Sequence, residues 1–185
     1  MGQIGAELAN ADPDKLHAAV KAVLSAHGEM LTRGAKESPA TADDRLTDAV
    51  VYFHTVLELG YLVASTDGFA EQERKALAEL IETATSAALD RTALLAHFDD
   101  LDSGTDVLGR SQRLARAAAN LEDAHKRDSA LRLVALIATA DGHLDDAELD
   151  ALAELGGHFE ISREQVESVA RGVVSDITGH LEGAQ

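Results

Sequence analysis

The sequence predicts an all-α protein of about seven helices, arranged as two pseudo-symmetric helical repeats packed as one bundle domain. Three observations lead there. Apolar residues recur at helical spacing along most of the chain, and no stretch alternates between turn signals as a half-buried strand would. The two prolines, Pro13 and Pro39, lie near the amino end and leave the rest of the chain free for long helices. Asp-Gly occurs at two places only, Asp67-Gly68 and Asp141-Gly142, and the flanks of the two read alike. Leu62-Val63-Ala64-Ser65-Thr66 is matched by Leu136-Ile137-Ala138-Thr139-Ala140, 74 residues on. Beyond the turns, Ala76-Leu77-Ala78-Glu79-Leu80 is matched by Ala151-Leu152-Ala153-Glu154-Leu155, 75 residues on. Helix, acidic turn and helix, repeated at this scale, read as an internal duplication.

The elements follow in chain order. Residues 1–40 form an amino-terminal segment with one helix and a linker, and residues 41–185 form the helical domain, with repeats at 41–98 and 107–182. Asp12 caps the first helix and Pro13 opens it, and Leu16, Val20, Val23, Leu24, His27 and Leu31 share a face. His27 on that stripe reads as a packed histidine. Gly34, Ser38 and Pro39 mark the linker. The next helix runs to Ser65, with Leu46, Val50, Phe53, His54, Leu57, Tyr61 and Ala64 in one stripe. Gly60 inside it points to close contact with another helix. A helix from Ala70 to Leu89 follows the first turn, and Asp90 caps another that carries Leu94, Leu95 and Phe98. Residues 99–106, rich in Asp with Ser103 and Gly104, read as an acidic loop joining the halves. Helix then extends from Val107 to Ala140, bent near Lys126-Arg127-Asp128. After the second turn a helix runs from Asp146 to Leu155 and stops at Gly156-Gly157. Ser162 caps the last helix, and Ile161-Ser162-Arg163 echoes Leu89-Asp90-Arg91.

Composition limits the function. A net charge of −17 opposes nucleic acid and anionic membranes alike, and leaves cations, basic proteins or plain solubility. The absence of cysteine excludes disulfides, thiol catalysis and thiolate metal sites. No basic-then-apolar leader opens the chain, Ala6 spoils a myristoylation signal, and no apolar run is long enough to span a bilayer. A cytoplasmic protein without membrane insertion is expected. Aromatics make up only 3% of residues, so the core must rest on Ala and Leu in closely packed helices.

The turns carry the chemistry. Gly68 and Gly142 supply the positive φ that a sharp reversal needs. Two readings of the nearby carboxylates stay open. In one, Asp145 and Glu148 form a capping box, Asp145 accepting from the helix-start amides and Glu148 reaching back. In the other, Asp141, Asp145 and Glu148, with Asp146 and His143 beside them, gather oxygen ligands for a hard divalent cation such as calcium, magnesium or manganese. Asp67 and Glu73 form the sparser equivalent in the first turn. Neither turn is an EF-hand, because counting from Asp141 the sixth position is Asp146 rather than Gly and the twelfth is Leu152 rather than Glu. The Asp100–Gly104 stretch fails the same test and lacks the βαβ context of a phosphatase loop. Glu122-x-x-His125 lacks the second copy that a diiron bundle needs. The eight histidines show no triad or ligand spacing, so catalysis is not expected.

Two hairpins, each with an Ala/Thr-Asp-Gly turn followed by Glu and a Leu-rich helix, resemble the tellurite-resistance TerB family. The fuller match runs from Ala138 through Asp141-Gly142-His143-Leu144-Asp145-Asp146-Ala147-Glu148 to Leu152, and the other from Ala64 through Asp67-Gly68 to Glu73. The resemblance covers residues 41–182. It implies an all-α fold with an internal pseudo-two-fold, in a bacterial cytoplasmic protein tied to tellurite or other chemical stress. It also implies metal binding at Asp67, Glu73, Asp141 and Glu148, or an adaptor role with a protein partner, while the Ala-rich helices could equally pack between subunits in self-association. The expected function is thus a non-catalytic helical module binding a divalent cation at its acidic turns, with a metal-free adaptor or self-associating scaffold as the alternative.

Overall fold

The computed structural model describes residues 12, 15–16, 18–23, 42–66, 68, 71–84, 90–139 and 144–183, with the backbone alone at 42–50 and at 72, 73, 76, 80, 83 and 84. Every regular element among them is a helix. Helix α1 is described at residues 15–16 and 18–23. Then follow α2 (Ala42–Ala64), α3 (Glu71–Ala84), α4 (Arg91–Leu108), α5 (Arg110–Ala118), α6 (Ala124–Ala138), α7 (Asp146–His158) and α8 (Arg163–Gly183).

Helix α1 begins as its sequence requires. Asp12 accepts from the Lys15 amide at 3.2 Å, satisfying a helix-start N–H that has no partner within the helix. Leu16, Ala19, Val20 and Val23 are buried and belong to the same hydrophobic core as the later helices. His27 and the expected linker lie outside the described residues.

Helices α2 and α6 form the centre. In α6, Ala130, Leu131 and every residue from Leu133 to Ala138 are buried, so this helix has almost no wet face in its second half. It packs against α2, whose buried set runs from Tyr52 through Val56 and Leu59 to Val63. Gly60 permits that approach. A Cβ added there would lie 2.6 Å from Ile137 Cδ1, well inside van der Waals contact. At the other end of the crossing, Tyr52 Oη donates to the Lys126 carbonyl at 3.3 Å. Helices α5, α7 and α8 pack around this pair, and α3 lies against α4. On α8, Val166, Ala170, Val173, Val174 and Ile177 supply a single inward stripe.

Three expectations need correction. The stretch 99–106 is not a loop, because α4 continues through it to Leu108. Its Asp, Ser and Gly residues are turn signals, but tertiary packing outweighs them. Leu94, Phe98 and Leu101 continue one buried stripe, while the hydroxyls of Ser103 and Thr105 bond back to the carbonyls of Asp99 and Leu101. The helix ends one step later, at Gly109, which takes a φ of 80°.

Helix does not run on from Val107 to Ala140 with a bend near Lys126. Instead α5 ends at Ala118 and α6 starts afresh at Ala124, with Asp123 accepting from the Lys126 amide at 2.9 Å.

Gly156 and Gly157 do not stop α7 either. Both lie within the helix, and a Cβ on Gly156 would collide with Val166 of α8, so close packing is the reason for that glycine. The helix closes beyond them in a Schellman motif. The Ile161 amide donates to Gly156 O at 2.8 Å and the Glu160 amide to Gly157 O at 3.2 Å, with Glu160 itself at φ 62°.

Candidate functional site

Among the expected site residues, Asp145 and Glu148 are the ones the structure brings together. Asp145 has extended backbone and caps α7, its Oδ1 accepting from the Glu148 amide at 2.7 Å. Glu148 Oε2 accepts in return from the Asp145 amide at 3.0 Å. This is the reciprocal capping box. Leu144 and Leu149 stand at the hydrophobic-staple positions on either side, the first buried and the second packed against the core. They press the turn onto the protein, and Glu148 is only 7% exposed in consequence. Asp146 and Glu148 fall in the first turn of the helix, where the aligned peptide dipoles favour negative charge.

The remaining expected ligands are not assembled. Asp67 and Asp141 lie outside the described residues, as do Gly142 and His143, and of Glu73 only the backbone is described, within α3. Among the described residues no three histidine or acidic side chains converge as a metal ion would require. The first turn does show its backbone logic. Gly68 has φ 104°, its amide donates to Ser65 O at 3.2 Å, and Thr66 Oγ1 donates to Val63 O at 2.6 Å. Ahead of the second Asp-Gly, Thr139 at the end of α6 is fully buried and donates its hydroxyl to Ala135 O at 2.6 Å.

A second polar cluster, which the sequence reading did not find, lies in the seam between α2, α3 and α4. Tyr61 of α2 stacks on Phe98 of α4 with ring centroids 4.6 Å apart, and donates its hydroxyl to Asp102 Oδ1 at 2.8 Å. Burial first, and then this acceptor, hold the Tyr61 phenol protonated far above the usual range. Arg74 of α3 pairs with Asp99 at 2.7 Å and with Asp102 at 3.3 Å, and its guanidinium lies 5.9 Å over the Tyr61 ring. Two turns earlier on α2, His54 meets His97 of α4, and Glu58 pairs with Arg113 of α5. The spacing Asp99-x-x-Asp102 was the available signal, since it places both carboxylates on one face of a helix. Reading that stretch as a loop hid it. These groups are ion pairs and hydrogen-bonded partners of one another, an arrangement that joins helices and presents no activated nucleophile.

An all-helical module, with acidic turns at its helix junctions, is the class this geometry defines. The family model described as "Tellurite resistance protein TerB" matches residues 54–171, a span that takes in both turns and runs from α2 into α8. The chain belongs to the TerB family. No curated protein and no solved structure matches it. No helix among the described residues is long and apolar enough to cross a membrane.

Proposed function

We propose that this chain is a non-catalytic TerB module acting as a metal-free adaptor or self-associating scaffold, with its acidic turns serving as helix starts. The observation that carries this reading is the capping box. Asp145 and Glu148 direct carboxylate oxygens at each other's backbone amides, a task that explains both residues without any ligand. TerB domains are generally non-catalytic, and the ion pairs of the seam fit that character. With a net charge of −17, a partner protein would be a basic one. The family's description, a tellurite resistance protein, supports tellurite stress as the setting for this role.

A second reading keeps a divalent cation, calcium, magnesium or manganese, at the turn before α7. Asp145, Asp146 and Glu148 crowd one helix start, and Asp141 would complete an oxygen set there, with Asp67 and Glu73 as the counterpart in the first turn.

Calorimetric titration with calcium, magnesium, manganese and zinc to millimolar concentration separates the two. The scaffold reading expects no saturable heat and an unchanged melting temperature. Heat that saturates in the native chain and vanishes in Asp141→Asn would replace it with the cation reading. Light scattering then checks self-association, and a strictly monomeric chain with no basic partner would remove the scaffold itself.

A further inference from the structure

The His54–His97 contact is used by neither reading, and it sits at a telling place. His97 lies one residue before Phe98, on the seam that Tyr61 and Phe98 fill. The two imidazoles meet edge to face, with centroids 5.5 Å apart and planes at 82°. His97 Nε2 is buried and finds no hydrogen-bond partner among the described residues, whereas His54 is exposed. The charged groups that face His97 come from three helices: His54 and Glu58 from α2, Asp100 from its own helix α4, and Arg113 from α5. Glu58 is engaged by Arg113, which weakens it as a counter-ion for the imidazole. A neutral ring tolerates this environment. A protonated one would bury an N–H donor without an acceptor and face a second titratable ring and a guanidinium.

We propose that the His54–His97 contact is an acid-responsive latch between α2 and α4, closed while the His97 ring is neutral and released when it takes a proton. Release would free the α4 face carrying Phe98 and Leu101 from the face of α2 that Tyr61 anchors. Burial, and then His54, push the His97 pKa below the ordinary 6.5; Arg113 acts in the same direction, and Glu58 and Asp100 against it. A folded-state pKa below the unfolded value means that the unfolded chain binds more protons in that interval. The latch therefore contributes fully above pH 6.5, and its contribution falls as acid is added towards the folded-state pKa.

Imidazole proton shifts of the full chain, followed by NMR, give the titration of His97 directly. Amide exchange then reads the seam at about pH 7.5 and about pH 5.5, corrected for the intrinsic rate. The latch predicts that on acidification the α4 amides open several-fold more than those of α8. It also predicts that the exposed-site variant His54→Gln raises the His97 titration midpoint, and that His97→Gln abolishes the excess opening of α4. A His97 midpoint at or above 6.5 would overturn the proposal. So would equal acid opening of α4 and α8, or no response of His97 to His54→Gln, a result that remains readable even where His97→Gln does not fold.

Discussion

Tyr61 and Phe98 stack where the second half of the chain, by the sequence correspondence, puts Ala135 and Ala170. All four are buried. The consequence for packing is large. Helix α8 packs on α6, and Ala135 and Ala170 are small residues buried on these two helices, of a kind that lets helices approach closely. Helix α4 meets α2 through two rings instead, and the extra width admits polar company: the Asp102 acceptor, the Arg74 guanidinium and the histidine pair. One half is closed by aliphatic contact and the other by aromatics tied to ions. In either case the interior must be filled to the density of a solid, so large rings and small aliphatic side chains call for different helix separations.

Replacing the larger partner tests this most severely. Phe98→Ala removes a ring with no exposed surface and should cost about 3–5 kcal/mol in urea denaturation. The reverse change, Ala170→Phe, forces a ring into the tight crossing and should cost about 1–3 kcal/mol through strain. Equal, small effects would mean that the two seams are not built differently. The helix starts give a finer comparison. Asp90 caps α4 by accepting from the Thr92 and Ala93 amides, without a reciprocal partner, whereas Asp145 works within a box. Asp145→Ala should therefore cost about 2 kcal/mol and Asp90→Ala about 1 kcal/mol, read from the denaturation midpoints. The smallest effect is a gain. Glu160→Gly relieves a left-handed residue at the end of α7 and should stabilise by about 1 kcal/mol. No gain would show that the Glu160 side chain compensates for its backbone.

Much of this was legible in the chain, for reasons that can be named. Helical spacing revealed α2 and α8, because their buried stripes are long and uninterrupted. Gly60 announced a close helix contact, and Ile137 is its partner. The Asp145/Glu148 box could be read because capping acts over three residues, within reach of local sequence. Two of the three errors share one cause. Asp, Ser and Gly in 99–106 and the glycine pair at 156–157 carry strong local turn signals, and both were overruled by partners on other helices, Arg74 in one case and Val166 in the other. The seam of His54, His97, Glu58 and Arg113 left no spacing to read, since three separate helices contribute to it.

The near-complete enclosure of the second half of α6 has a consequence for how the chain can be divided. Its neighbours include α2 from before the Gly109 corner as well as α7 and α8 from after it. A cut at Gly109, where the backbone already leaves helical geometry, would hand each fragment a bare aliphatic rod whose natural cover is on the other piece. The fragments would be recovered joined to one another or as precipitate, and the two runs of helices would behave as obligate complements.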